Sequence, residues 1–161
     1  MFENIAVVIP ALDNNQYYSD GDLVRFGDTT LLEWKISQIL GVTGKENIYV
    51  STPSDKIIDL VQSYGVNVVK RSQGSDPYQW IKESVNPIES EFVLWTHATS
   101  PFISAGDYRG MLETFFNLPQ NHDSLITVYQ EQEYIFYQSK PLNFDIDQFR
   151  GRKDIEPVYR N

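Results

Sequence analysis

The sequence predicts one α/β domain: a three-layer, mostly parallel sheet with helices on both faces, followed by an irregular, aromatic-rich C-terminal extension. Three observations predict it. Two short apolar runs, Ile5-Ala-Val-Val-Ile-Pro-Ala11 and Phe92-Val-Leu-Trp-Thr-His-Ala-Thr-Ser-Pro-Phe102, end abruptly at prolines and polar turns. Buried parallel strands end this way where they reach a ligand-facing sheet edge. Helical segments alternate with strand-like ones, and crossovers of that length call for a parallel sheet. The 161 residues, 41% of them hydrophobic, suffice for one full core and are too few for two ordinary domains.

Residues 5–11 form the first strand, and a long polar loop over 12–30 follows it. Leu31-Leu-Glu-Trp-Lys-Ile-Ser-Gln-Ile-Leu40 repeats apolar residues at helical spacing, with Gly41 as a stop. Asn47-Ile-Tyr-Val-Ser51 is the second strand. Residues 54–64 form a helix capped by Ser54 or Asp55 and ended by Gly65, and residues 66–69 a short strand. A helix over 77–85 leads to the strand that begins at Phe92. Residues 107–116 form an amphipathic helix and 124–129 a further strand. From Gln130 the periodicity gives way to aromatic, polar, turn-rich sequence. Residues 1–129 are therefore expected as the ligand-binding domain and residues 130–161 as an extension. There is no internal repeat.

Composition removes several classes of function. A net charge of −9 repels the phosphate backbone, so nucleic acid is not an expected partner. Without cysteine there is no disulfide framework, thiolate nucleophile or Cys-ligated zinc. No apolar run approaches the roughly 20 residues of a membrane span, and Met-Phe-Glu-Asn enters the first strand without a basic leader region. A cytoplasmic protein that binds small molecules or other proteins, and no membrane, is expected.

Ile-Pro-Ala after the first strand, Thr-Leu-Leu-Glu-Trp opening the first helix, Ile-Tyr-Val-Ser-Thr-Pro-Ser-Asp, Ser-Tyr-Gly-Val-Asn-Val-Val-Lys-Arg71, Thr99-Ser-Pro101 and Glu156-Pro-Val-Tyr-Arg-Asn161 follow one another in a telling order. In that order and spacing, over nearly the whole chain, the sequence resembles the acylneuraminate cytidylyltransferases. The resemblance implies a nucleotide-diphospho-sugar transferase-like fold. It also implies transfer of CMP from CTP to a nonulosonic or related sugar acid for surface-glycan synthesis, with release of pyrophosphate. Magnesium is the metal the resemblance implies, although its ligands are not identified in this chain.

The likeness carries over unevenly. In the family, Pro-Ala is followed by an arginine, a Ser-Lys-Gly stretch and a further lysine, which wrap the triphosphate. Here Leu12 stands where the arginine belongs, and Asp20 or Asp22 about where a lysine belongs. Each charge-assisted hydrogen bond to phosphate is worth roughly 1.5–3 kcal/mol. A carboxylate about 4 Å from a phosphate oxygen adds repulsion on the order of 4 kcal/mol at an effective dielectric of about 20. Arg25 is the one cation within the loop placed to compensate. A magnesium ion bridging Asp20 or Asp22 to phosphate would reverse the sign, and a solvated surface loop is the plain alternative.

By the same resemblance Ala11, Leu12, Asp22, Arg25 and Arg71 fall at the nucleotide, and His97, Thr99, Ser100 and Asn161 at the sugar. Read by itself, Arg71 is equally a surface cation capping a strand. His97 takes the place of a family glutamine, and an imidazole donates or accepts much as an amide does, with a charge change near neutral pH. Thr99 and Ser100 also serve to close a hydroxyl turn before Pro101. His122 reads as surface.

Family members continue past the Arg-Asn end into an aspartate-bearing segment that holds the metal, whereas this sequence ends at Asn161. A truncated piece or a degenerate relative are the two expectations. Asp145 and Asp147 form an Asp-X-Asp pair within the extension and read as a solvated turn. A glycosyltransferase of similar topology would need that pair at the end of the central strand, where Thr96-His-Ala-Thr99 stands instead. No Gly-X-Gly-X-X-Gly follows the first strand, which excludes a dinucleotide site. The remaining alternative is a non-catalytic sugar- or nucleotide-binding partner subunit. Tyr134, Phe136, Tyr137, Phe144, Phe149 and Tyr159 crowd the extension, and such aromatics are enriched at interfaces. A homodimer built on the extension is expected.

Overall fold

Six consecutive buried residues, Ile5–Pro10, form the central strand β1, buried on both faces as its continuous apolar sequence requires. The structure is a computed structural model that describes residues 4–74, 76–148 and 150–160. By its contacts the chain divides into two compact units, Met1–Glu113 and Thr114–Asn161. The division therefore falls ahead of the boundary at residue 129 expected from periodicity.

In the first unit β1 is followed by a hairpin of β2 (Arg25–Phe26) and β3 (Thr29–Thr30), then α1 (Leu31–Leu40), β4 (Ile48–Thr52), α2 (Asp55–Tyr64), β5 (Asn67–Lys70), α3 (Pro77–Val85), β6 (Phe92–Trp95) and most of α4 (Ala105–Phe116), the division falling after Glu113 within that helix. The sheet order is β5-β4-β1-β6, and every pairing in it is parallel. Register divides the side chains cleanly. Val7 pairs with Ile48 and Leu94, and Ile9 with Val50; these residues belong to the core with Leu32, Ile36 and Ile39 of α1, Ile57 and Val61 of α2, and Tyr108 and Leu112 of α4. Each fully buried aliphatic side chain there contributes about 1.5–3 kcal/mol. The alternate positions meet α3, where Ser51 and Ser84 share a hydrogen bond of 2.6 Å and the rings of Trp80 and Trp95 lie 5.6 Å apart. Helices thus cover both faces, as expected.

Local chemistry sets the helix ends. Thr30 and Glu33 form a reciprocal capping box on α1. Ser54 caps α2, which ends at Gly65 in the left-handed region at φ 67°. Asp76 caps α3, with Pro77 at its first turn.

The second unit holds two small antiparallel ladders. β7 (Tyr129–Glu131) pairs with β10 (Val158–Arg160), and β8 (Phe136–Tyr137) with β9 (Lys140–Pro141). The latter are joined by Gln138 and Ser139, both at positive φ. Asn143 ties the unit together, donating to the carbonyls of Glu133 and Glu156 and accepting from Ile135 N–H. The strand expected over 124–129 does not form: only Tyr129 enters a ladder. Leu125, Ile126 and Val128 are exposed; β-rich composition makes a strand only where an edge and a face receive it. Among the described residues no helix is long and apolar enough to cross a membrane.

Candidate functional site

The strand order reverses at β1. The chain builds β4 and β5 on one side of it, then returns to place β6 on the other. In open parallel sheets the crevice for a ligand opens at such a reversal, beyond the carboxyl ends of the strands. Here that edge gathers Ala11 and Leu12 after β1, Ser54 after β4, Arg71 after β5, and Thr96 and His97 after β6. These elements all belong to the first unit.

The loop after β1 folds back on itself at Ala11, Gly21 and Asp22, which are buried, while residues 16–20 between them are exposed. Ala11 is buried, and its N–H donates to the Ser51 carbonyl at 2.9 Å. Asp22 is buried, accepts from Leu12 N–H at 2.8 Å, and donates its own N–H to the Leu12 carbonyl at 2.7 Å. Gly21, at φ 51°, brings the chain so close that a side-chain carbon there would lie 2.2 Å from the Leu12 carbonyl oxygen. Burial raises the Asp22 pKa, with the Leu12 hydrogen bond and nearby His97 opposing it. Asp22 is thus committed to the backbone. Arg25 is exposed, and its Nε donates to the Gly27 carbonyl at 2.9 Å, within its own hairpin. Asp13, which the sequence did not single out, accepts from the Ser54 hydroxyl at 2.6 Å and joins this loop to the start of α2.

Arg71 is not a surface cation. It is 8% exposed, its guanidinium carbon sits 5.1 Å from the Trp80 ring centre, and its Nε is buried without a hydrogen-bond partner. Nη1 donates to the Ser72 carbonyl at 3.2 Å. Desolvation lowers its pKa and nearby Glu83 partly restores it; an arginine remains charged throughout. A buried, partly unsatisfied guanidinium stacked on an indole suits an anionic or planar ligand.

From Trp80 the aromatic line runs to Trp95 and on to His97, whose ring lies 6.1 Å from Trp95. Trp95 Nε1 donates to His97 Nε2 at 3.0 Å, which leaves the proton of the neutral imidazole on Nδ1. His97 is exposed, yet desolvation of its ring lowers its pKa against the pull of Asp22. It therefore offers a donor, and only half of the amide-like versatility expected of it. The Ser100 N–H closes the turn on the His97 carbonyl at 3.3 Å, Thr99 is exposed, and Ser100 is half-buried. Asn161 and Phe149 lie outside the described residues. His122 is exposed and pairs with neighbouring Asn121. Asp145 accepts from the Asp147 N–H at 2.9 Å in a turn of its own.

Ala11, Leu12, Arg71, His97, Thr99 and Ser100 thus lie along one edge, with Arg71 and His97 linked through two tryptophans. Trp80 and Trp95 were missed because aromatic residues in a helix and a strand read as core; the Trp-Thr-His spacing was the available signal. Among the described residues there is no group of three or more His, Cys, Asp or Glu side chains placed to hold a metal ion. A concavity of about 330 Å³, lined by Asn4, Ala6, Tyr49, Glu89 and Glu91, lies at the other end of the strands, away from this edge.

A family model described as cytidylyltransferase matches residues 21–151. No curated protein matches the sequence significantly. Among solved structures, CMP:2-keto-3-deoxy-manno-octonic acid synthetase complexed with CTP aligns with a TM-score of 0.64 at 18% identity, over 73% of this chain and 49% of that one. The bifunctional IspDF from Campylobacter jejuni aligns with a TM-score of 0.72 at 12% identity, over 99% and 40%. The 4-diphosphocytidyl-2C-methyl-D-erythritol synthase of Anaerococcus prevotii gives 0.66 at 15% identity, over 98% and 68%. At these identities the likeness establishes the fold alone. The chain spans about half the length of the synthetase.

Proposed function

The chain belongs to the cytidylyltransferase family, and we infer that it acts in the cytoplasm, transferring CMP from CTP to a nonulosonic or related sugar acid for surface-glycan synthesis. The observation that carries this reading is the furnished edge at the strand reversal, where the buried Arg71 guanidinium and the His97 turn flank the end of β1. In this reading the backbone at Ala11 and Leu12, with Arg71, receives the nucleotide. His97, Thr99 and Ser100, and Asn161 beyond the described residues, receive the sugar. The sugar hydroxyl attacks the α-phosphorus in line, the bond to the β-phosphate oxygen breaks, and pyrophosphate leaves. The described residues supply no general base, so positioning and electrostatics carry the step. Magnesium belongs to the reading as a companion of the triphosphate, whose charge it would neutralise.

One observation favours a second reading, a non-catalytic partner subunit that binds nucleotide or sugar. Asp22 is bonded to Leu12, and the loop's single cation, the exposed Arg25, turns its Nε to Gly27 within its own hairpin, so the loop offers at most one cation to a triphosphate. Calorimetry with Mg·CTP separates strong from weak phosphate binding. The expected dissociation constant is weaker than about 100 μM, near −5.5 kcal/mol, and a low-micromolar value overturns the occupied-loop argument. Pyrophosphate release across a panel of sugar acids supports the enzyme; binding without release supports the partner subunit.

The same reading includes a homodimer built on the extension, with isologous contacts. Phe136, Tyr137 and Tyr159 are each more than half exposed in the single chain, as an interface requires. Light scattering is expected to give a dimer that is lost when Phe136 and Tyr137 become Ser. A monomer mass for the unaltered chain overturns it.

A further inference from the structure

Lys35, on α1, is fully buried at 0% exposure. Its Nζ donates to the Ser100 carbonyl at 2.8 Å and to the Tyr108 hydroxyl at 2.7 Å, and lies 4.9 Å from the centre of the Tyr108 ring. The Tyr108 hydroxyl in turn meets Thr96 Oγ1 at 2.5 Å. Both acceptors are neutral. An ammonium taken from water without a counter-charge is costly unless its hydrogen bonds are good, and burial pushes the pKa of Lys35 down to about 8. A leucine or methionine would fill this part of the core without that cost, so the lysine must be needed for what it bonds to.

Its bonds end on the two sides of a single turn. Thr96 is the first residue after β6, and Ser100 opens the path to α4. The turn's own backbone bonds are long, 3.3 Å from Ser100 N–H to the His97 carbonyl and 3.4 Å from Ile103 N–H to the Ser100 carbonyl. The bonds from α1 are shorter: besides Lys35, Trp34 Nε1 and Gln38 Nε2 both donate to the Pro101 carbonyl, at 2.8 and 2.9 Å.

We propose that Lys35 is a positioning residue: its buried ammonium, gripping Ser100 directly and Thr96 through Tyr108, sets the turn that aims His97 and Thr99 at the ligand. The inference rests on the reading of that turn as the sugar-facing edge. It adds a determinant carried by α1, a helix that bonds to the carbonyls of the turn.

Amide hydrogen exchange on the full chain, without ligand, tests the positioning directly. Lys35→Met is expected to speed exchange at Ser100 and Ile103 at least tenfold while the β1 amides stay within twofold of the original. Lys35→Gln, which keeps a neutral donor, is expected to restore part of the protection. A space-filling role requires the reverse order, with Met the better replacement, and that result overturns the proposal, as does acceleration below threefold in Lys35→Met. Should Lys35→Met fail to fold, Tyr108→Phe, which removes the hydroxyl shared by Lys35 and Thr96 and leaves the bond from Lys35 to Ser100, must speed exchange at Thr96 more than at Ser100; equal or no change overturns the proposal. Mg·CTP and sugar-acid binding to the same variants tests the other reading separately. A loosened turn with unchanged binding leaves Lys35 as the positioning residue and removes the turn from the ligand site.

Discussion

The two loops that flank the strand reversal are stabilised in opposite ways. The loop after β1 is held from within: Asp22 closes on Leu12, Arg25 on Gly27, and Asn15 on the N–H groups of Tyr17 and Tyr18. The turn after β6 is held from without, by Lys35, Trp34 and Gln38 of α1. A self-closed loop uses its polar groups to define its own shape and has few left for a ligand. A turn gripped through its carbonyls by a neighbouring helix keeps its hydroxyls and imidazole at the crevice. The contrast also accounts for one acidic side chain of the first loop: the Asp22 carboxylate serves the backbone of its own loop.

The comparison breaks most severely at Gly21. Its positive φ and the 2.2 Å approach of the Leu12 carbonyl oxygen leave no room for a side chain. Gly21→Ala is expected to destabilise the chain by at least about 3 kcal/mol, read by denaturant unfolding. If the loop were loosely solvated, the cost would fall below about 1 kcal/mol.

Asp22 gives the next largest effect. Asp22→Ala leaves the Leu12 N–H without its acceptor and is expected to cost about 1–2 kcal/mol; Asp22→Asn keeps an acceptor and should cost less. The pH dependence sharpens this. Burial raises the folded-state pKa of Asp22 above its ordinary 3.8. Its contribution to stability is therefore full below that value and is lost as pH rises through the folded pKa. Unfolding across that window should show the original chain losing stability with rising pH relative to Asp22→Asn. A parallel pH profile for the two would mean that the carboxyl is solvated.

On the turn side the smallest effect is expected. Trp34→Phe removes the indole bond to Pro101 while keeping an aromatic ring near Phe26, whose centre lies 5.8 Å away. The loss should be about 1 kcal/mol or less, because Lys35 and Gln38 remain. A larger loss would show that the indole, and not the buried ammonium, carries the grip.

Much of the frame was legible in the sequence because its signals are local. Gly41 and Gly65 closed α1 and α2, Ser54 opened α2, and the apolar runs at Ile5 and Phe92 became β1 and β6. The run over 124–129 carried the same local signal and failed, since a strand also needs a neighbour that sequence spacing does not supply. The candidate site divides along the same line. Thr96 to Pro101 was visible as a strand end, whereas Arg71 read equally well as a surface cation until the sheet brought it against Trp80.

What the sequence determined by itself is the alternation of helix and strand, the absence of cysteine chemistry, and the polar ends of two buried strands, all of which follow from periodicity and residue type. The tertiary structure alone decided the use of the charges. Whether Asp22 repels a phosphate or closes a loop, whether Arg71 is solvated or stacked, and whether Lys35 lies on a surface or grips a turn depend on partners up to 73 residues away. Only folding sets those distances, and a charge's energy depends on its partners and its exclusion from water far more than on its own identity.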